Sequence, residues 1–366
     1  MRFCLLLALF PAFTLIAQDT PATRNLILVT ADGLRWQEVF QGLDPLLAHE
    51  RSAGMGRPGD RLKRFDLSGE VKRREALMPY FWTTLAPRGI VFQDVTVTNG
   101  YRISYPGYSE ILTGRAEDRL IHSNLPIPNP NETVLEFLKR KLALDTRQVA
   151  AFASWQTFQG IVEHDPGTIF VNAGYQPIDD LHASARMTEL SRLQFHLLTP
   201  WAEARHDYIT GSMALEYMAT EKPRVLFISF DETDDWAHDR RYDRVLDAVV
   251  EFDSFLERLM NAIDSLEDYR GHTTVLITSD HGRGATLNDW FDHGRAVAGA
   301  DRIWLAISGP DTPAGVKSGE KVEQRDIAPT MIKLMGLDPN EYQGATGKPI
   351  AAALRHAEKR PIRQGH

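Results

Sequence analysis

Cysteine is almost missing from this chain: there is one in 366 residues, and it is Cys4, at the very start. A chain cut beyond it has no disulfide and no thiolate nucleophile, so chemistry falls to hydroxyls, carboxylates and imidazoles. A basic excess is lacking too. Acidic side chains number 49 against 41 basic ones, for a formal charge of -8, so no nucleic-acid polymer is expected as a partner. No apolar run after the N-terminal segment is long enough to cross a bilayer, and there are no internal repeats or low-complexity tracts. These absences leave an ordinary globular chain with ample length for a large core, and no feature sets an oligomeric state.

The first stretch, MRFCLLLALFPAFTLIAQ, joins an N-terminal cation to an apolar run too short to span a membrane. That pattern predicts a secretory signal peptide over 1–17, cleaved after Ala17, and a secreted or periplasmic protein. Residues 18–366 are expected to form a single catalytic domain, interrupted by insertions near 44–76 and 156–205. The first insertion is dense in Gly, Arg and Lys and reads as a solvated excursion. The second reads as an irregular small cap.

What is present is a repeated junction. Asn25–Thr30 is a buried-type apolar strand followed by Asp32-Gly33. Arg224–Phe230 is another and runs into Asp231-Glu-Thr-Asp-Asp-Trp-Ala-His238, and Thr273–Thr278 a third, ending in Ser279-Asp280-His281-Gly282. Strands are also predicted at Ile90–Thr98, Gln148–Ser154 and Arg302–Ser308, with helices at Leu77–Ala86, from Thr133 to about Leu144, and at Gly211–Thr220, Asp239–Asp264 and Val322–Met335. The alternation predicts an α/β fold with a mostly parallel central sheet and helices on both faces. In such sheets ligands bind beyond the carboxyl ends of the strands, where the acidic residues lie.

Asp32, Asp234, His238, Asp280, His281 and His293 are therefore candidate metal ligands. Asp234 and His238 are four apart and share one face of a helical turn, away from Asp231 and Asp235. Carboxylates and imidazoles together suit zinc or a similar divalent transition metal. Ser104 is the candidate nucleophile. It follows the strand at Ile90–Thr98, and Pro106 suits the first turn of a helix, although the residue before a proline, Tyr105, is biased toward extended backbone. At a helix N-terminus Ser104 faces unpaired N–H groups and a dipole that favour an oxyanion. Its hydroxyl needs a base or a metal ion to activate it, and no Gly-x-Ser-x-Gly elbow surrounds it, which turns attention to metal ligands.

The ordered motifs resemble the alkaline phosphatase superfamily, and within it the nucleotide pyrophosphatase/phosphodiesterase branch. Ser104-Tyr-Pro-Gly-Tyr-Ser-Glu-Ile-Leu-Thr-Gly114 is similar to the nucleophile motif of that branch, with Gly107 and Tyr108 replacing its usual Asn-His. Asn124 resembles an asparagine that contacts a phosphoryl oxygen. The resemblance implies two divalent ions set about 4 Å apart, with zinc the metal that three histidines suit. Asp32, Asp280, His281 and Ser104 would hold one, and Asp234, His238 and His293 the other. It also implies a small anionic phosphate-ester substrate and a covalent phosphoserine. The neighbouring readings are a sulfatase-like sulfuric ester hydrolase, a phosphomutase of the same superfamily, and a binding protein on an inactivated scaffold. Diesters are expected to be preferred over monoesters, unless Arg102, Arg115 or Arg283, all expected at the surface, supplies a further cation.

Overall fold

The computed structural model describes residues 22–56, 58–179, 183–317 and 320–355; the predicted leader and Cys4 lie outside the described residues. Nine strands form one sheet: β1 (Asn25–Ala31), β2 (Ile90–Thr96), β3 (Val149–Ala153), β4 (Phe170–Ala173), β5 (Val225–Phe230), β6 (Thr273–Thr278), β7 (Arg302–Ser308), β8 (Val316–Lys317) and β9 (Val322–Glu323). Their order is β4-β3-β5-β1-β6-β7-β2-β8, with β9 also beside β2. All pairs from β4 to β6 are parallel, and β7 runs antiparallel between β6 and β2. Because β7 reverses twice, β2 points the same way as β1 and delivers its carboxyl end to the same edge.

The apolar runs are continuous because both faces of the sheet are covered. In β1, Ile27, Val29 and Ala31 join one core layer while Leu26 and Leu28 join the other. Strand β5 divides likewise, with Leu226, Ile228 and Phe230 on one side and Val225 and Phe227 on the opposite one. Among the described residues no helix is long and apolar enough to cross a membrane.

Several local expectations need correction. The 44–76 stretch is helical at Pro45–Ala48, Pro58–Phe65 and Glu70–Leu77, and it buries Leu47, Ala53, Phe65 and Leu77 in the core. The predicted helix at Leu77–Ala86 is present but not as one regular α-helix: Leu77 ends the helix Glu70–Leu77, Met78 breaks the run, and Phe81–Leu85 is a π-helix that tightens into a 3-10 turn at Ala86–Arg88. The 156–205 stretch is not irregular, since it contains β4, which completes the edge of the main sheet, and the helix Ala185–Leu193. Val322–Met335 is a short strand and a tight turn before the helix Ile327–Leu334, where Pro329 sits in the first turn and so removes no needed donor. The capping box at Thr133 forms as expected, with Glu136 closing it.

Candidate metal centre

Three adjacent strands, β5, β1 and β6, release Asp234, Asp32 and Asp280 at one edge of the sheet. Asp32, Asp280 and His281 are all buried to within 1% of complete. Around His281 Nε2 the structure gathers Asp32 Oδ1 at 3.4 Å, Asp280 Oδ2 at 3.4 Å, Asp234 Oδ1 at 3.7 Å and Ser104 Oγ at 3.5 Å. His238 Nε2 lies 3.1 Å from Asp234 Oδ2 and 3.0 Å from His293 Nε2. All seven residues singled out in the sequence as metal-holding thus meet in one place. Two sets have ligand atoms within 4.8 Å of one another, Asp32–Asp280–His281 and Asp234–His281–His293. His281 belongs to both, whereas the sequence reading gave it to the first alone.

The tautomers are fixed from behind. His281 Nδ1 lies 3.1 Å from the Gly282 carbonyl and His293 Nδ1 3.1 Å from the Arg102 carbonyl. A carbonyl only accepts, so each Nδ1 carries a proton and each ring turns its Nε2 toward the centre. Arg102 can offer that carbonyl because its own backbone is left-handed, with φ of 54°.

Electrostatics support cation binding. Burial pushes the Asp280 carboxyl up to about 8, and the Asp32 charge adds to it. Burial lowers His281, but Asp280 and Asp32 outweigh it and raise the imidazole to about 9. Burial, together with the cations around them, holds His293 and His238 below the usual imidazole range. Both Asp32 carboxylate oxygens and Asp280 Oδ2 are buried with no hydrogen-bond donor. Leaving three such acceptors unmet is costly, and a divalent cation is the group that satisfies them, so the residues present fit the implied metal. Asp231 and Asp235 stand outside both ligand sets as a carboxyl pair, their pKa values raised by burial, that of Asp235 to about 7.

Ser104 opens the helix Ser104–Thr113, following Ile103 in extended geometry. Tyr105 is helical, not extended, because Pro106 occupies the first turn, where no N–H is needed. The expected cradle of free N–H groups is reduced: Tyr105 N donates to Asn124 Oδ1 at 3.0 Å, Pro106 has no N–H, and Gly107 N donates to the Ile103 carbonyl at 3.0 Å. With Oδ1 so engaged, Nδ2 is the donor end of the Asn124 amide. Gly107 and Tyr108 face inward. A Cβ on Gly107 would meet the Asp280 carbonyl at 2.4 Å, and the Tyr108 ring packs 4.5 Å from Phe158 with its hydroxyl 3.2 Å from Ser229 Oγ.

Arg283 is not at the surface. It is fully buried, pairs with Asp234 Oδ1, and donates to the Phe291 carbonyl at 2.6 Å, holding the carboxylate so that Oδ2 faces His238. Sequence reasoning also missed Glu110, which is buried and accepts from Thr98 N, Thr98 Oγ1, Asn99 N and Asn99 Nδ2 at 2.6–3.1 Å, tying down the loop before Ser104. A glutamate six residues into an otherwise uncharged helix, Ser104–Thr113, was the available signal.

The family model described as Metalloenzyme superfamily matches residues 205–339, the part that carries five of the six Asp and His ligands. A curated relative, the 2,3-bisphosphoglycerate-independent phosphoglycerate mutase of Haloarcula marismortui, is 29% identical over 137 residues, which is 37% of this chain and 25% of the mutase. The chain therefore spans about a quarter of that relative's length. Among solved structures, the alkaline phosphatase PafA superposes with a TM-score of 0.58 at 11% identity, covering 93% of this chain and 100% of that one. The phosphonate monoester hydrolase of Silicibacter pomeroyi gives 0.57 at 13%, covering 92% and 78%. At these identities the likeness is one of fold.

Proposed function

We propose that this chain, whose fold is that of the alkaline phosphatase superfamily and whose residues 205–339 match the Metalloenzyme superfamily, is a two-metal hydrolase of phosphoric esters with Ser104 as nucleophile. The observation that carries this reading is the set of orphaned buried oxygens on Asp32 and Asp280, grouped with His281 beside the Ser104 hydroxyl. Asp32, Asp280 and His281 would hold one divalent ion, and Asp234, His238 and His293 the other, with zinc the match to three imidazoles. Bound there, the ions supply a lowered serine pKa and charge neutralisation at the leaving oxygen.

The chain's own groups do the rest. Ser104 Oγ forms a bond to phosphorus as the P–O bond to the leaving alkoxide breaks, the serine proton passes to solvent, and the alkoxide takes a proton from solvent to depart as the alcohol. Water then cleaves the phosphoserine ester and regenerates the hydroxyl. Asn124 Nδ2 donates to a phosphoryl oxygen, since its Oδ1 is anchored by Tyr105 N. Glu110 keeps the loop ahead of Ser104 in place.

Diesters are favoured over monoesters. A monoester dianion calls for an added cation, and two of the three arginines considered are committed: Arg283 to Asp234, and Arg115 to Glu117 at 3.1 Å. Arg102 is also paired, more loosely, with Asp301 at 3.6 Å. A panel of aryl phosphodiester, monoester, phosphonate and sulfate substrates on zinc-loaded protein tests this. The highest kcat/KM is expected on the diester, with activity removed by chelation and restored by zinc. A sulfate optimum, or phosphoryl transfer within a sugar phosphate in place of hydrolysis, would replace the reading by the sulfatase or mutase alternative.

A further inference from the structure

The helix Glu232–His238 carries two candidate ligands, yet it is only seven residues long and its N-cap residue, Asp231, makes no side-chain cap bond. So short a helix is marginal alone and takes its stability from tertiary contacts. Its orphan N–H groups are met from another segment. Asp207 Oδ1 accepts from Asp231 N at 2.9 Å and Asp207 Oδ2 from Glu232 N at 3.1 Å. Glu232 answers in kind: its Oε1 accepts from Asp207 N at 3.1 Å and lies 2.8 Å from His206 Nδ1. Together these make a reciprocal capping box built across two separate segments.

The other end of the helix is gripped as well. Trp201 Nε1 donates to Asp239 Oδ2 at 3.3 Å, and its ring meets Trp236 edge-on at 4.5 Å. Trp236 Nε1 lies 3.4 Å from Glu232 Oε2. Glu232 and Trp236 are four apart and share the back of the helix, while Asp234 and His238 share the front. Behind Asp207, Ser154 Oγ donates to its Oδ1 at 2.6 Å, and Arg205 is fixed by Asn172 Oδ1 at 2.6 Å and Thr210 Oγ1 at 2.9 Å.

We propose that Asp207 is a positioning residue for the ion held by Asp234, His238 and His293, and that the segment around Trp201 to Asp207 acts as the clamp that aims this ligand helix. The inference rests on the two-ion reading above. Contacts behind metal ligands typically govern affinity by 10–100-fold.

The test is metal binding by the full chain, read as zinc stoichiometry after dialysis against a weak chelator and as the absorption spectrum of the cobalt-loaded protein. Wild type is expected to keep about two ions, and Asp207→Ala about one, with the second at least about ten-fold weaker and its cobalt bands altered. Trp201→Phe, which removes the indole donor and part of the ring that meets Trp236, is expected to weaken the same ion by a smaller factor with far-ultraviolet circular dichroism unchanged. Should Asp207→Ala fail to fold, Trp201→Phe and Glu232→Gln carry the test on the same readouts. Folded variants that keep both ions at wild-type affinity, or lose both in parallel, overturn the positioning role. A wild-type chain that binds no divalent ion overturns the two-ion reading and this inference with it.

Discussion

Replacing Gly107 by alanine tests whether the contact between the nucleophile helix and the β6 strand end sets the reactive geometry. The added Cβ would lie 2.4 Å from the Asp280 carbonyl oxygen and 3.2 Å from Asp280 Cβ. Carbon–oxygen contacts settle near 3.3–3.6 Å, so about 1 Å of relief is required. The first obstacle is backbone, so no side-chain rotation supplies it. Either the first turn of Ser104–Thr113 backs away or the Asp280–His281 junction does, and both routes widen the 3.5 Å separation between Ser104 Oγ and His281 Nε2. A misplacement of about 1 Å costs on the order of 100-fold in rate, and overpacking of this kind about 1–3 kcal/mol in stability. The assay is kcat/KM on an aryl phosphodiester beside a thermal melt. Gly59→Ala is the control: it lies in the helix Pro58–Phe65 with nothing within 4 Å of the new Cβ, and should leave the rate unchanged while stabilising by about 0.5–1 kcal/mol. A Gly107→Ala protein within about three-fold of wild-type kcat/KM would refute the reasoning.

Ser104→Ala should abolish turnover while both ions stay bound, since six other side chains hold them; residual activity above roughly a few per cent, measured on purified protein, would remove Ser104 as the nucleophile. Arg283→Met should destabilise the chain by about 3–5 kcal/mol in urea unfolding, because it strands the buried Asp234 carboxylate; a loss under about 1 kcal/mol would show that the pair is dispensable. Asp253 accepts from Tyr80 N and Phe81 N at 2.9 and 2.8 Å, yet burial pushes its carboxyl up to about 6. Its folded pKa exceeds the unfolded 3.8, so the folded state binds the extra proton and stability falls as pH rises through that window. Urea unfolding at pH 5 and pH 7.5 should therefore show the advantage of wild type over Asp253→Asn shrinking by about 1 kcal/mol on raising the pH, and a constant difference would contradict the shift.

The grouping of the candidate ligands was legible because each acid follows a strand that is apolar on both faces, and buried strands in a parallel sheet announce their carboxyl ends. Thr273–Thr278 and Arg302–Ser308 coincide with β6 and β7 to the residue. What stayed hidden depends on partners distant in sequence. β4 has only four residues, with Phe170 and Val171 half-buried, and gains its identity from pairing with β3. The charge of 44–76 masked the spacing of Leu47, Ala53, Phe65 and Leu77, which find their core only against the helix Tyr242–Ser265 and its neighbours. Asp207 looks like any first-turn acid of its own helix, Asp207–Glu221, until that of Glu232–His238 is seen against it. Arg283 looks like a surface charge until Asp234 is placed beside it.

The run of neighbours β5-β1-β6 has a consequence for how such a centre originates. Neighbouring strands repeat at about 4.8 Å whatever their side chains, because the peptide ladder fixes that pitch. Acids planted just beyond three consecutive strand ends therefore inherit a spacing before any loop sequence is chosen. Segments that touch none of the candidate ligands can then be exchanged without recalibrating the distance between these three anchors. A drift in sheet twist would shift all three anchors at once, whereas a change in the Trp201–Asp207 segment would shift only the residues on Glu232–His238.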